Sequence, residues 1–457
     1  MRSMTLSELA PLLAGTVHGD DQQVTGVSTD SRTVKAGDLF VALAGPNFDG
    51  HDFVGKVAEQ GAVGLVTSRE VESSLPQLRV KDTLAALGRI GEFNRSLYSG
   101  KLIAVTGSSG KTSVKNMLEA VFSQVGETLA TLANFNNEVG VPHTLLRLHP
   151  GVEYAVVEMG AAKKGDIAWL RELGKPDVAI LLNAMPAHLQ GFGSLEGVAS
   201  AKGEMFDGLS DSDFAIINAD QPWAKQWRKR AGDATVLDFG LDTPAAITAR
   251  EISLHGFEGV SFTASTPEGD VAIRLALPGR HNVANALVAV AAGLACKVPL
   301  MKIRDGLESL APVEGRLRVN TTAAGAAIID DCYNANPGSV RAAVEMLASC
   351  SGKLTLVLGA MRELGDDSAA MHAEIGEYAA QSGIDRFIGV GDALLPAVEA
   401  FGKQAIWCAD REEAVAALQS GLTASDTVLI KGSRSVGMEK VLQTLLDEPA
   451  SGAAQSC

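Results

Sequence analysis

At 457 residues, 46% hydrophobic and 20% charged, the chain has the composition of a soluble globular protein with room for about three domains of ~150 residues. Its net charge of −15 argues against nucleic acid as a main partner, so an anionic ligand must be met by local cations or helix N-termini. The five cysteines (Cys296, Cys332, Cys350, Cys408, Cys457) are scattered without metal-ligand spacing, and no apolar run reaches membrane-spanning length. The opening M-R-S-M-T-L-S-E-L-A lacks the apolar core of a signal peptide, so the expectation is a cytoplasmic chain with reduced thiols and no membrane insertion.

The first ~80 residues mix short strands with turns. They predict a strand at 39–43 and helices over 52–61 and 83–99. Two polar clusters stand out. One is D-S-R with Ser31 and Arg32, where the arginine could take an anion. The other is D-G-H with Asp49 and His51. A solvated loop explains both equally well.

Residues 101–112, K-L-I-A-V-T-G-S-S-G-K-T, predict a buried strand, a glycine turn and a helix start. That order places backbone N–H groups around an anion at the positive end of a helix. Gly107, Ser108, Ser109, Gly110, Lys111, Thr112 and Ser113 are the expected nucleotide-binding residues. Lys111 would neutralise the β- and γ-phosphates, and the Thr112 hydroxyl would sit on Mg²⁺. The match is a shortened one, since the full pattern wants glycine where Val105 stands.

The polar loop N-F-N-N supplies Asn134, Asn136 and Asn137, which suit sugars and amides, or simply a turn. Further apolar runs at 154–158, 177–182 and 214–218 alternate with helical segments, as in a doubly covered parallel sheet. Glu158 ends one of these runs, where a carboxylate can hold a phosphate-bridging metal. Capping a helix is the alternative. His188 follows another run and reads as catalytic or structural. Lys202, on a probable helix, reads on its own as a surface lysine. Residues 236–277 predict an antiparallel excursion, followed by a helix over 281–295. After a break near 311–316, strands at 326–330, 354–358, 387–390 and 427–431 form a second, smaller α/β unit. D-D-C-Y-N-A-N-P (330–337) follows the first of them and suits a ribose and base, or a turn ending in Pro337.

T-G-S-S-G-K-T, V-E-M-G-A, A-H-L-Q-G-F-G-S, A-K-G-E-M-F, P-G-R-H-N-V-A-N-A-L, E-G-R-L, D-D-C-Y-N-A-N-P and K-G-S-R-S resemble, in order and across nearly the whole chain, the motifs of the Mur ligase family. The resemblance implies an α/β protein of three domains: an N-terminal UDP-substrate domain (1–83), a central parallel-sheet phosphate-loop ATPase domain (84–313) and a C-terminal Rossmann-like domain (314–457) that takes the incoming dipeptide and closes over ATP. It implies that Lys202 is carbamylated and joins Thr112, Glu158 and His188 around Mg²⁺, so that Lys111, Glu158, His188 and Lys202 carry the catalysis. Asn282, Asn285, Arg316, Asp331 and Tyr333 match positions that hold ATP. Substrate is expected at Ser31, Arg32, Asp49, His51, Asn134, Asn136, Asn137, Asn334, Asn336, Lys431, Ser433 and Arg434. N-F-N-N-E-V-G-V-P, Y-N-A-N-P, M-R-E-L-G and K-G-S-R-S point to the branch that joins D-alanyl-D-alanine to UDP-N-acetylmuramoyl-tripeptide, using ATP and Mg²⁺ in a monomer. One departure is Ala360, where the family often has aspartate. Rival readings are a folylpolyglutamate-synthase-like ligase, which the full first domain disfavours, and a phosphate-loop kinase or switch, which has no need of Lys202.

Overall fold

The computed structural model describes residues 1–186, 189–311, 318–419 and 421–447. Its three larger sheets follow one another along the chain. In the first, Gly26–Ser28, Asp38–Val41, Gly64–Thr67 and Gln77–Arg79 run parallel, and Thr16–His18 closes the edge antiparallel. The period-2 alternation divides its apolar residues cleanly. Leu39, Val41 and Val66 enter one core, while Phe40 and Leu65 pack with Val54 and Val57 on the other face. The helix expected over 52–61 begins as a 3-10 turn, Gly50–Phe53, before Val54–Glu59. Asp49 makes that entry by accepting the His51 N–H at 2.9 Å.

The helix Thr83–Ser96 is capped by Asp82, which accepts the N–H groups of Leu84 and Ala85 at 2.8 and 3.0 Å. It serves two cores. Ala86, Leu87 and Ile90 complete the first-sheet core, which also receives Leu146 from the central region. The opposite side lies on the helix Asp166–Gly174, where a Cβ on Gly88 would come within 2.7 Å of the Trp169 ring.

The central sheet has nine strands. Lys101–Thr106 lies inside it, parallel to both Tyr154–Glu158 and Val178–Leu181, so Val105 stands opposite Glu158 and Thr106 opposite Leu181. Alternate residues again feed two cores. Ile103 and Val105 face the helices Lys111–Phe122 and Arg280–Ala295, and Leu102 and Ala104 face the other layer with Trp227. The antiparallel excursion begins later than the sequence suggests. Thr235–Gly240 still runs parallel to Phe214–Asn218, and only Ile247–Leu254, Val260–Thr266 and Gly269–Leu275 form antiparallel pairs.

In the third sheet Ala327–Asp331, Asp426–Lys431, Lys353–Gly359, Arg386–Val390 and Ala405–Cys408 are parallel, and Arg318–Thr321 pairs antiparallel at the edge. No helix among the described residues is long and apolar enough to cross a membrane. Ligands of open parallel sheets gather beyond the strand C-termini, and those edges of the central and third sheets line one cleft.

Candidate active site

The turn after Lys101–Thr106 is tight enough to require its glycines. Gly110 has a φ of +85°, and a Cβ there would lie 2.9 Å from the Asn285 side-chain oxygen. A Cβ on Gly107 would lie 2.9 Å from Leu182. The helix Lys111–Phe122 then starts with no side-chain cap, so its first N–H groups are left for a ligand. Asn183 braces the loop by accepting the N–H groups of Ser108 and Ser109 at 3.0 Å each. The Lys111 ammonium donates to the Gly107 carbonyl at 2.8 Å, lying over its own loop. Ser108 to Ser113 all line the cleft, whose volume is about 530 Å³.

Glu158 is buried at the end of its strand, and its carboxylate is held from two sides. Thr112 Oγ1 donates to Oε2 at 3.0 Å, and Asn136 Nδ2 donates to Oε1 at 2.7 Å. Its own N–H donates to Thr131 Oγ1 at 2.9 Å. A carboxylate against a hydroxyl, beside a phosphate loop, is an oxygen donor pair suited to a hard cation such as Mg²⁺. Asn134 lines the cleft as well, whereas Asn137 turns its oxygen back to the Gly140 N–H at 3.0 Å and shapes the loop.

Lys202 is not the surface lysine its letters suggest. It lies on the helix Leu195–Gly203 with only 2% of its surface exposed, because Val198, Ala199, Ala201 and Gly203 bury the same helix. Its Nζ sits 5.9 Å from the Phe192 ring centre and has no hydrogen bond among the described residues. Burial, and then the charge of Lys111, push its proton affinity far down. His188 and Arg316 lie outside the described residues. Among the described residues no three His, Cys, Asp or Glu side chains gather into a metal site.

Across the cleft, Asn282 and Asn285 stand one turn apart on Arg280–Ala295, joined by a 3.1 Å hydrogen bond from Asn285 Nδ2. His281 beside them is a cleft residue that the sequence reading missed, though it stands inside the quoted P-G-R-H-N. Burial and the Lys431 charge push it down to about 4, so it is a neutral imidazole near pH 7. The third sheet contributes Asp331, Tyr333, Asn334, Asn336 and Lys431. The buried Lys431 ammonium donates to Asp331 Oδ2 at 2.5 Å and to the Asn334 carbonyl at 2.8 Å. Asn336 caps Pro337–Ala348 by accepting the Ser339 N–H at 2.8 Å, with Pro337 at the first helical position. Ser433 is buried and ties three segments. Its hydroxyl donates to Ala335 O at 3.2 Å and accepts the Arg362 N–H at 2.9 Å, while its own N–H reaches Ala360 O at 3.2 Å. Arg434 is exposed, 3.6 Å from Glu439.

The first-domain residues stand apart from that cleft. Arg32 makes a two-pronged pair with Asp30, and its hydrogen bonds hold the Asp30 carboxyl down at about 2. Ser31 lies between them, half-buried. His51 is buried with both ring nitrogens engaged. Nδ1 is 2.5 Å from Asp49, and Nε2 accepts the Ser68 N–H at 3.0 Å. A hydrogen bond links the D-S-R loop to the central region: Thr29 Oγ1 lies 3.0 Å from His143 Nε2, on the helix Gly140–Leu146 that follows the asparagine loop.

Family models match in the same three-part order as the sheets. The Mur ligase family catalytic domain covers residues 23–94, the Mur ligase middle domain 105–293, and the Mur ligase glutamate ligase domain 315–434. The UDP-N-acetylmuramoyl-tripeptide–D-alanyl-D-alanine ligase of Escherichia coli K12 is 44% identical over 97% of this chain and 99% of its own. A crystal structure of MurF from Acinetobacter baumannii superposes with a TM-score of 0.94 at 34% identity, over 98% of this chain and 100% of that one. MurF ligase from Thermotoga maritima in complex with ADP gives a TM-score of 0.83 at 28% identity, over 93% and 98% of the two chains. With three Mur ligase models in order along the sequence and a full-length relative at 44% identity, this chain belongs to the Mur ligase family.

Proposed function

We propose that this chain joins D-alanyl-D-alanine to UDP-N-acetylmuramoyl-tripeptide at the expense of ATP, releasing ADP and phosphate. The observation that carries this reading is its full-length 44% identity to a ligase of that name, together with one cleft that sets a phosphate loop against the third domain. In the reaction, the free carboxylate of the tripeptide attacks the γ-phosphorus of ATP, giving an acyl phosphate and ADP. The amine of the dipeptide then attacks the acyl carbon and phosphate leaves.

The uncapped helix start and the N–H groups from Gly110 to Ser113 hold the phosphates, with the loop before them braced by Asn183, and Lys111 exchanges the Gly107 carbonyl for phosphate oxygens. Thr112 and Glu158 would hold Mg²⁺, joined by His188 and by Lys202 as its carbamate. The ion would neutralise the phosphate oxygens. The buried Lys202 amine, with no anionic partner among the described residues, is what favours the carbamate, because an unpaired buried cation is costly. Asn282, Asn285, Asp331, Tyr333 and Arg316 take the nucleoside and its phosphates. Lys431, Asn334, Asn336, Ser433 and Arg434 line or support the dipeptide side. Ser31, Arg32, Asp49 and His51 belong to the UDP-substrate domain, and Asn134, Asn136 and Asn137 bridge from it to the cleft. Nowhere does the reaction need a protein nucleophile. Burial pushes the thiol of Cys296 up to about 12 and that of Cys350 up to about 11, so these thiols are protonated near neutral pH.

The test is a product assay with UDP-N-acetylmuramoyl-tripeptide, D-alanyl-D-alanine and ATP, following ADP and the new amide together. The reading requires one amide per ADP, no ADP without UDP-N-acetylmuramoyl-tripeptide, and no sustained ADP production without D-alanyl-D-alanine. Amide formation with glutamate in place of the dipeptide would favour a folylpolyglutamate-synthase-like activity. ADP release without amide would favour a kinase or switch.

A further inference from the structure

The helix Lys111–Phe122 carries a second lysine that none of the roles above uses. Lys115 stands one turn beyond Lys111 and Thr112, among Val114, Met117 and Leu118, and is 6% exposed. An ammonium in such a position weakens a core that an apolar side chain of similar length would fill without desolvation cost. Its Nζ donates to the Thr131 carbonyl at 2.9 Å. Thr131 is the residue whose hydroxyl receives the Glu158 N–H at 2.9 Å, and its own N–H donates to Val156 O at 3.0 Å in the neighbouring strand. A chain of hydrogen bonds therefore runs from the interior of the phosphate-loop helix, through one threonine, to the backbone of the strand-end carboxylate. The same threonine opens the loop that carries Asn134 and Asn136, and Asn136 holds the other oxygen of Glu158.

We propose that Lys115 is a positioning residue for the metal-binding carboxylate. By clamping Thr131 it sets where Glu158 stands relative to Thr112 on the same helix, and so sets the affinity for the Mg²⁺ that accompanies the nucleotide. The proposal rests on the reading that Glu158 belongs to that metal site. Lys115 touches neither nucleotide nor metal in this scheme. The contact that carries its effect is the one to Thr131.

The experiment measures binding of a non-hydrolysable ATP analogue by calorimetry, with and without Mg²⁺, so that no turnover enters the result. Wild-type protein should bind more tightly with Mg²⁺. Lys115→Met should lose ~10-fold or more of that gain, in the range typical of residues that orient metal ligands, while metal-free binding and the melting curve change little. Lys115→Arg should recover part of the gain. Thr131→Val should reproduce the loss, and the double variant should be no worse than the weaker single one, since both break one chain. Should Lys115→Met not fold, Lys115→Gln serves in its place. An undiminished Mg²⁺ gain in the folded variant, equal losses with and without Mg²⁺, or additive losses in the double variant would each overturn the proposal. Glu158→Gln separates the two layers. If it too keeps the full gain, the metal reading of Glu158 fails and the proposal falls with it. If it loses the gain while Lys115→Met keeps it, only the role of Lys115 is rejected.

Discussion

The strand-end edge of the central sheet and the D-S-R and D-G-H loops of the first domain are both polar, yet they are held in opposite ways. Glu158 takes its bonds from Asn136, Thr131 and Thr112, which are 22, 27 and 46 residues away in the chain. Arg32 is paired with Asp30, two residues away, and 79% of its side chain is exposed. The first arrangement exists only when three elements have packed, so it is rigid before any ligand arrives, as phosphoryl transfer demands. The second is local and solvated, and its arginine can exchange a neighbouring carboxylate for a ligand at small cost. On the proposed function, the chemistry is placed on the fold and the recognition of substrate on loops.

Four substitutions break or sharpen that contrast. The largest effects belong to the rigid edge. Lys111→Ala should lower kcat by ~10³-fold or more in a chain that still folds. Near-normal turnover would remove the phosphate-loop reading. Lys202→Ala should lose nearly all activity with an unchanged melting curve, and a short carboxylic acid should restore part of it by filling the vacated space. Full activity without the acid would reject the carbamate. Arg32→Ala belongs to the other side. It should raise KM for UDP-N-acetylmuramoyl-tripeptide about 10-fold, roughly the worth of one charge-assisted contact, and leave KM for ATP nearly unchanged. Equal rises in both would show that Arg32 acts on folding or closure. The smallest effect concerns Asp30. Its carboxyl is depressed to about 2 by Arg32, so the pair stabilises the fold above the unfolded carboxyl's titration near 4, and the contribution is lost as pH falls through 2. Asp30→Asn should therefore flatten the dependence of the melting temperature on pH between 4 and 2, slightly, because the pair is exposed. An unchanged slope would show that the pair contributes nothing to folding.

Where the sequence was legible, a local pattern carried the information. The runs at 154–158 and 214–218 are strands over those same residues, because continuous apolar stretches of that length bury both faces. The phosphate loop is equally local. Lys202 was illegible on its own because burial of a helix face is a tertiary property. A faint sign was present in its small, apolar neighbours V-A-S-A, which mark a helix covered on most sides. The asparagine loop was ambiguous for another reason. Asn137 and Asn136 share one residue type, but one turns inward to make a turn and the other reaches a carboxylate 22 positions on, and no spacing rule separates them. His281 shows a last limit. Its depressed proton affinity comes first from burial and then from the charge of Lys431 on a separate sheet, and both are tertiary.

The helix Thr83–Ser96 closes the core of the first sheet with Ala86, Leu87 and Ile90 while lying against Trp169 of the central region. Dissection of the chain into fragments must respect that sharing. A piece ending at residue 83 would open the core that holds Leu39, Val41 and Val66 along the seam where Ala86, Leu87 and Ile90 pack, and should be recovered as insoluble material. A piece extended through residue 96 keeps those side chains covered, but it carries the far side of the helix, with Gly88, bare. The first domain is thus separable by sequence and not by folding, and its autonomy ends where the helix begins.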